Sequence, residues 1–600
     1  FSWSGPDSYS SSTQSPTVSG TATHDMEGSY NLIVTDGNSC SSSSSSVSVT
    51  VGATTYFVDD DNSPSNSNSG LTSGAPFETV AYAISRKICS SVTINVAAGT
   101  YDEDDILIPD GTSNLSIVGA GRDATIFDGN SSDSWLRLGV SSNGLSSITI
   151  SDMTIKDMTS DDGGGGGIRL RYSADGSATG DGGGTSCGAV SLVLEDMKFE
   201  NCDGAYGDQA EDRGGAIQLY ANCSSTSTAV IRRCIFTNNS STNAHGSAIW
   251  AGMYSNGEVD IENCLFYEHT DGTNGVVFTS TGNDVDIENC TFADNSGANY
   301  DVGFYSGTCE INNCIFNTSN TQAFGETGSV TGYVRYTLDN KSSDFGSWSY
   351  TGTVGDYNTD PLFTDAANDD YSLQTGSPAL DVGSSTYATS NDINGIARPQ
   401  GGGYDLGSYE KFINAWTGNT DSDWSTATNW SAGSVPGSSD DIYINSSSND
   451  PILSATDQVG ALTIVSGATL NISSNKLTAS SVVLNSGGTL NITGGELECT
   501  GQFDHDGALT MNGGTLDING EYESSASSTE SISGGTITCA GEWDGANDDA
   551  FTPTGGTVTM DGTSNKNLAQ HASSNFYNLT IGNSSGDVDV TAALNVDCDL

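Results

Sequence analysis

One short pattern recurs down the middle of the chain and constrains its fold more than any other feature. It reads Ile150-Ser-Asp-Met153-Thr-Ile, Leu194-Glu-Asp-Met197-Lys-Phe, Ile231-Arg-Arg-Cys234-Ile-Phe, Ile261-Glu-Asn-Cys264-Leu-Phe, Ile287-Glu-Asn-Cys290-Thr-Phe and Ile311-Asn-Asn-Cys314-Ile-Phe. The last three intervals are 30, 26 and 24 residues. That is the length of one coil of a three-sided β-helix, in which a coil buries its apolar side only by stacking on its neighbours.

A second column follows about fifteen residues later: Gly167-Ile-Arg-Leu-Arg171, Ala216-Ile-Gln-Leu-Tyr220, Ala248-Ile-Trp-Ala-Gly252 and Val276-Val-Phe-Thr-Ser280. Side chains alternate faces along a strand. Ile168, Ile217, Ile249 and Val277 are therefore expected inward, and Arg169, Gln218, Trp250 and Phe278 outward in one ladder.

Downstream, Gly487-Gly-Thr-Leu-Asn-Ile492, Gly513-Gly-Thr-Leu-Asp-Ile518, Gly534-Gly-Thr-Ile-Thr-Cys539 and Gly555-Gly-Thr-Val-Thr-Met560 recur at 26, 21 and 21 residues, with Gly494-Gly-Glu-Leu-Glu-Cys499 between the first two. Each reads as a shorter coil turned by a glycine pair that tolerates positive φ. Phe503, Tyr522 and Trp543 add an aromatic ladder.

Composition fits an all-β chain: 74 Gly, 11 Pro and long Ser/Thr/Asn/Asp tracts, with one short helix expected near Phe77 to Arg86. The formal charge of −58, from 75 acids against 17 bases, repels phosphate backbones and anionic lipids, so nucleic acid is not an expected partner. No apolar run reaches the ~20 residues that span a bilayer. The chain begins at Phe1 without Met and stops at Leu600 inside a repeat. It reads as a piece of something larger, with export and anchoring signals outside it.

The middle of the chain resembles right-handed parallel β-helix proteins of the pectate-lyase-like architecture. The opening Tyr56-Phe-Val-Asp-Asp-Asp61, Thr79 to Ile84, Ile94 to Tyr101, Leu115 to Gly121 and Thr125 to Gly129 carry that resemblance. Asp360-Pro-Leu-Phe363, Tyr371-Ser-Leu373, Gly376-Ser-Pro-Ala-Leu-Asp381, Asp392-Ile-Asn-Gly395, Arg398-Pro399 and Asp405-Leu-Gly-Ser-Tyr-Glu410 are similar to the tail of bacterial surface β-helix proteins with C-terminal anchors. Trp3 to Pro6, Gly28 to Cys40 and Val47 to Val51 resemble the last strands of Ig-like or PKD-like repeats of Bacteroidetes surface proteins. Trp416-Thr-Gly418, Asp423-Trp424, Asn429-Trp430 and the glycine-pair coils resemble solenoid stretches exported by the type IX pathway.

The expected fold class is all-β: a right-handed parallel β-helix followed by a second Gly-rich β-solenoid, with a partial Ig/PKD-like β-sandwich at the N-terminus. The expected domains are residues 1–53 for the sandwich fragment, 54–350 for the β-helix, 351–411 for its tail or cap, and 412–600 for the second solenoid.

Cys234, Cys264, Cys290 and Cys314 fall where Met153 and Met197 sit, so they read as a core ladder. Coil spacing of ~4.8 Å leaves disulfides within that ladder open. Cys499 and Cys539 stand two coils apart, ~9.6 Å, too far to bridge. No cofactor is required. Structural Ca²⁺ is an option at Asp59 and Asp61 or at Asp102 and Asp104, where hard oxygen ligands cluster.

By resemblance, this scaffold hosts uronate lyases and glycoside hydrolases. A catalytic site would draw on Arg169, Arg171, Asp212 and Arg213, beside Asp161, Asp162, Asp208 and Glu211. A binding site would use Arg169, Arg171, Gln218, Tyr220, Trp250 and Phe278, whose flat faces and donors suit sugar rings unless the loops at 172–187 and 203–213 cover them. The five histidines are scattered and have no Ser or Cys partner placed by the pattern. The leading expectation is a secreted or cell-surface adhesin or stalk that contacts extracellular polysaccharide or cell-surface glycans. The alternative is a polysaccharide lyase or glycoside hydrolase.

Overall fold

The computed structural model describes residues 1–19, 26–61, 64–130, 133–140, 143–160, 164–172, 188–204, 213–222, 226–241, 245–254, 257–270, 274–279, 283–340, 349–351, 359–401, 403–591 and 594–599. Strands hold 47% of the chain and helix 3%, so the protein is all-β. It divides into two compact units, Phe1–Lys411 and Phe412–Leu600. No helix of the described residues is long and apolar enough to cross a membrane.

In the first unit, residues 1–53 contribute a single antiparallel sheet, ordered Ser10–Ser11, Ser2–Ser4, Gly28–Ile33, Ser45–Val49. Among the described residues Tyr30 is its only buried apolar side chain. The Glu27 carboxylate ties this sheet to Arg86 at 2.6 Å, just past the short helix Val80–Ser85.

The parallel coils follow. One nine-stranded sheet stacks from Gly99–Tyr101 to Leu338–Asp339. The other two columns merge into a seventeen-stranded sheet, because Tyr300–Asn312 and Gln322–Arg335 run through both. The register is the one the repeats imply. Ile150, Leu194, Ile231, Ile261, Ile287 and Ile311 pair in one inward row, and Ile168, Ile217, Ile249 and Val277 in another.

The position before each Met or Cys explains its own chemistry. Asp152, Asp196, Asn263, Asn289 and Asn313 sit at φ 50–63°, the left-handed corner that Asn and Asp tolerate best. Arg233 takes the same conformation at φ 53°. The corner turns the chain into the third column, where Phe199, Phe236, Phe266, Phe292 and Phe316 stack at 4.6–5.1 Å with planes 6–7° apart. The buried thiols beside the corners are free. Each donates to a carbonyl of the previous coil, Cys264 to Ile231 at 3.4 Å, Cys290 to Ile261 at 3.4 Å and Cys314 to Ile287 at 3.5 Å.

Residues 359–411 run along the flank of successive coils. Their Phe363, Tyr371, Leu373, Ala379, Ile393 and Leu406 cover Leu265, Tyr267, Ala293, Ile315 and Leu338. The corner asparagines double as the docking strip. Asn263 donates to Thr389 Oγ1 at 2.7 Å, Asn289 Oδ1 accepts from the Thr389 amide at 3.2 Å, and Asn313 Oδ1 accepts from the Ser384 amide at 2.8 Å.

The tail motif supplies a buried network. Arg398 pairs with Glu410 at 2.8 Å, both side chains fully enclosed. It also donates to the carbonyls of Asp405 and Gly407 and to Asn263 Oδ1. Glu410 accepts from the Gln400 and Asp405 amides. The motif residues are thus occupied in holding the tail together.

The second unit repeats a coil of about twenty residues. Leu477, Leu497, Leu516, Ile537, Val558 and Leu579 pair in one inward row. Gly514, Gly535 and Gly556 turn successive coils at φ +72°, +91° and +85°. Trp416, Trp424 and Trp430 fill the first coil edge to face at 4.7 and 5.2 Å. The aromatic ladder is internal: Phe503, Tyr522 and Trp543 stack at 6.0 and 3.9 Å. Cys499 and Cys539 are buried free thiols with Ile518 in register between them.

Two inward rows of this unit break their own pattern. Leu470, Leu490 and Leu509 are followed by Glu530, and Leu484 by His505. The two substituted side chains meet inside the solenoid, His505 Nε2 lying 2.7 Å from a Glu530 oxygen with neither exposed.

Candidate functional site

The expected ladder forms in register: Arg169 pairs with Gln218, Gln218 with Trp250 and Trp250 with Phe278. It is not wet, however. Arg169 is 1% exposed, Gln218 2%, Trp250 0% and Phe278 2%. Side chains from the turns preceding these strands, together with neighbours in the strands, form a second layer over the row.

The Arg213 guanidinium lies 4.8 Å above the Trp250 ring, and Tyr220 stacks on the same indole at 5.9 Å. The indole lies so close over Gly252 that a Cβ there would stand 2.1 Å from it. His245 stacks on Phe278 at 4.5 Å, and its Nδ1 accepts from Asn274 Nδ2 at 2.6 Å. Burial, and then the charge of Arg213, push the His245 pKa down, so this imidazole is neutral at neutral pH. Arg213 and Tyr220 remain half-buried at the surface of this layer.

Of the other expected residues, Arg171 pairs through its backbone with Gly139. Its side chain lies outside the described residues, as do Asp161, Asp162, Asp208, Glu211 and Asp212. His245 and Asn274 were not anticipated, because each lies in a turn that the strand repeats do not align.

The neighbouring column carries a second arrangement. Asp260, Asp286 and Glu310 form one outward row, Glu262 and Glu288 a second, and Glu258 and Asp284 a third. Arg335 neutralises Glu310 at 2.7 Å. Among the described residues no cation forms an ion pair with Asp260, Asp286 or Glu288. Desolvation and then neighbouring carboxylates push Asp260 and Asp286 up to about 6 and Glu288 up to about 7. Stacked carboxyls of this kind can hold a proton beside an ionised neighbour, which is what paired acid and base chemistry needs. The signal was present in Val259-Asp-Ile-Glu262 and Val285-Asp-Ile-Glu288, where alternation sets both acids on one face.

At the proposed calcium positions, Asp59 Oδ1 accepts from the Asp61 amide at 3.0 Å. Between Asp102 and Asp104, the Glu103 carboxylate accepts from the Val80 and Ala81 amides, both at 2.8 Å, and so caps the helix. Among the described residues no group of three or more His, Cys, Asp or Glu side chains is arranged to hold a metal ion.

The fold of the first unit is that of a parallel β-helix, and the second unit is a further β-solenoid. Residues 415–513 match the family described as a domain of unknown function (DUF8693). No curated protein matches the chain. Among solved structures the chain is similar to a pectin methylesterase from carrot, with 13% identity and a TM-score of 0.28 over 52% of this chain and 91% of that one. It is also similar to the pectate lyase Pel9A, with 12% identity and a TM-score of 0.27 over 60% and 97%.

Proposed function

We propose that this chain is part of a secreted or cell-surface adhesin or stalk whose β-helix contacts polysaccharide at the layer built on Trp250. The observation that carries this reading is the packing of Arg213 and Tyr220 against one indole. It fixes a flat apolar face and a forked donor side by side, and sugar rings require both. Arg213 and Tyr220 already pack on the indole, and such pre-arranged contacts lower the entropic cost of binding.

A screen of extracellular polysaccharides against the full chain tests it. Tyr220→Ala and Arg213→Ala each lower affinity about tenfold, roughly 1.4 kcal/mol, with no release of reducing ends or unsaturated uronates. Unchanged affinity in both variants refutes the assignment. Structural Ca²⁺ at Asp59 and Asp61 or at Asp102 and Asp104 is tested separately, by the melting midpoint with and without a chelator. A lower midpoint would bring Asp59, Asp61, Asp102 and Asp104 back as ligands.

A second reading, cleavage of glycosidic bonds, draws on the raised carboxyls of Asp260, Asp286 and Glu288. Turnover abolished by Asp286→Asn or Glu288→Gln would establish it in place of simple binding.

A further inference from the structure

The first coils of the β-helix hold a hollow that is separate from the Trp250 layer. In the parallel register Phe57 pairs with Asn95, and Asn95 with Val118. All three are half-buried between the inward rows of Tyr56, Val58, Ile94, Val96 and Ile117. Where the coil turns, the chain carries Ala97 and then Gly119 and Ala120. These small side chains leave room at the corner, and Ser73 and Pro76 also line the space. The result is a cavity of about 270 Å³ walled by Phe57, Pro76 and Val118, with Asp59, Ser73 and Asn95 among its lining.

We propose that this hollow binds one uncharged pyranose ring, as a terminal or branch unit of a glycan. The proposal rests on the carbohydrate reading only for the class of ligand. Size argues for a single ring, because the space falls below the roughly 300–1,000 Å³ of pockets that enclose drug-sized ligands. The lining has the two-sided character of a sugar. Phe57, Pro76 and Val118 present apolar surface to ring C–H groups, while Asn95 and the Asp59 carboxylate offer hydrogen bonds to hydroxyls. The Asn95 carboxamide makes no hydrogen bond among the described residues, so both its donor and its acceptor are available.

Charge selects among sugars. Asp59 is followed by Asp60 and Asp61, and the Asp60 carboxyl is held above its ordinary pKa by burial and by those two neighbours. A uronate or sulfated ring would bring a further anion to a site that already disfavours negative charge. A neutral ring carries no such penalty.

Ligand-observed NMR titration of the full chain with neutral methyl hexosides and with methyl glucuronide tests this. The expected result is saturable binding of at least one neutral hexoside, with the glucuronide about tenfold weaker or worse. Asn95→Ala and Phe57→Ala each weaken the neutral sugar about fivefold or more, with an unchanged melting midpoint. Asn95 is the milder change and serves if Phe57→Ala disturbs folding. Absence of neutral binding, equal binding of the glucuronide, or binding indifferent to both variants overturns the proposal. Tyr220→Ala separates the two sites. If it abolishes hexoside binding, the ring sits on the Trp250 layer and the hollow is not its site. If hexoside binding persists in that variant while the polysaccharide screen is blank, the hollow stands without the Trp250 assignment.

Discussion

Among the described residues each unit encloses one pairing of a basic with an acidic side chain completely, and the two are built differently. In the first, Arg398 and Glu410 are surrounded by polar groups, two carbonyls and Asn263 on the terminal guanidinium nitrogens and two backbone amides on the carboxylate, while Arg398 Nε has no hydrogen-bond partner among the described residues. In the second, His505 follows Leu484 and Glu530 follows Leu509 where apolar rows end, Ser524 comes next after His505, and His505 Nδ1 is buried without a hydrogen-bond partner among the described residues. The first pair organises irregular backbone that has no other way to satisfy itself. The second stands where an aliphatic row gives way to Ser524, whose hydroxyl donates to Asp548. A buried polar pair is costly wherever its neighbours leave part of its hydrogen bonding unmet.

The largest effect is expected from breaking the first pair. Arg398→Met strands Glu410 and two carbonyls, at a cost of about 3–5 kcal/mol, read as an earlier urea midpoint together with faster amide exchange at Asn263, Asn289 and Asn313. Adding Glu410→Leu does not restore stability, because the amides of Gln400 and Asp405 lose their acceptor.

In the second unit the order reverses. His505→Leu or Glu530→Leu alone costs a few kcal/mol, whereas the double leucine variant is neutral or more stable than the parent by about 1–4 kcal/mol. A double variant as unstable as the singles would erase the contrast between the units.

The next effect is on pH dependence. Asp405 is pushed up to about 7 by burial and then by Glu410, and Glu288 also to about 7. With Asp260 and Asp286 at about 6, the folded first unit binds more protons than the unfolded chain between roughly pH 4 and 7. Its stability is full below the unfolded carboxyl range and is lost as pH rises through 6 to 7. The melting midpoint of the first unit is thus higher at pH 5 than at pH 8, and Asp286→Asn with Glu288→Gln flattens the profile. A midpoint that climbs with pH would contradict the assignment.

The smallest effect concerns the thiol column. Cys264→Ala costs about 1 kcal/mol through one weak hydrogen bond and a small void. A thiol reagent labels Cys264, Cys290 and Cys314 only after unfolding. Labelling under native conditions would show that the coils open.

The sequence by itself determined the stacking. Inward rows such as Ile231 to Ile311, the phenylalanine column and the thiol column follow from a repeat length and the alternation of side chains along a strand, and both are local properties of the chain. It also placed Arg169, Gln218, Trp250 and Phe278 in one row, and it held the acids of the carboxylate rows in plain view at Asp260 and Asp286. What it left open is which outward residues meet water. That depends on turns such as those bearing Arg213 and His245, whose lengths differ from coil to coil and whose packing over Trp250 no period describes. The tail was legible as a motif, yet its place along the asparagine corners was settled only when residues more than seventy positions apart were brought within hydrogen-bond distance. Short-range pattern specified the coils, and the long-range packing of irregular segments decided which of their faces remained available for binding.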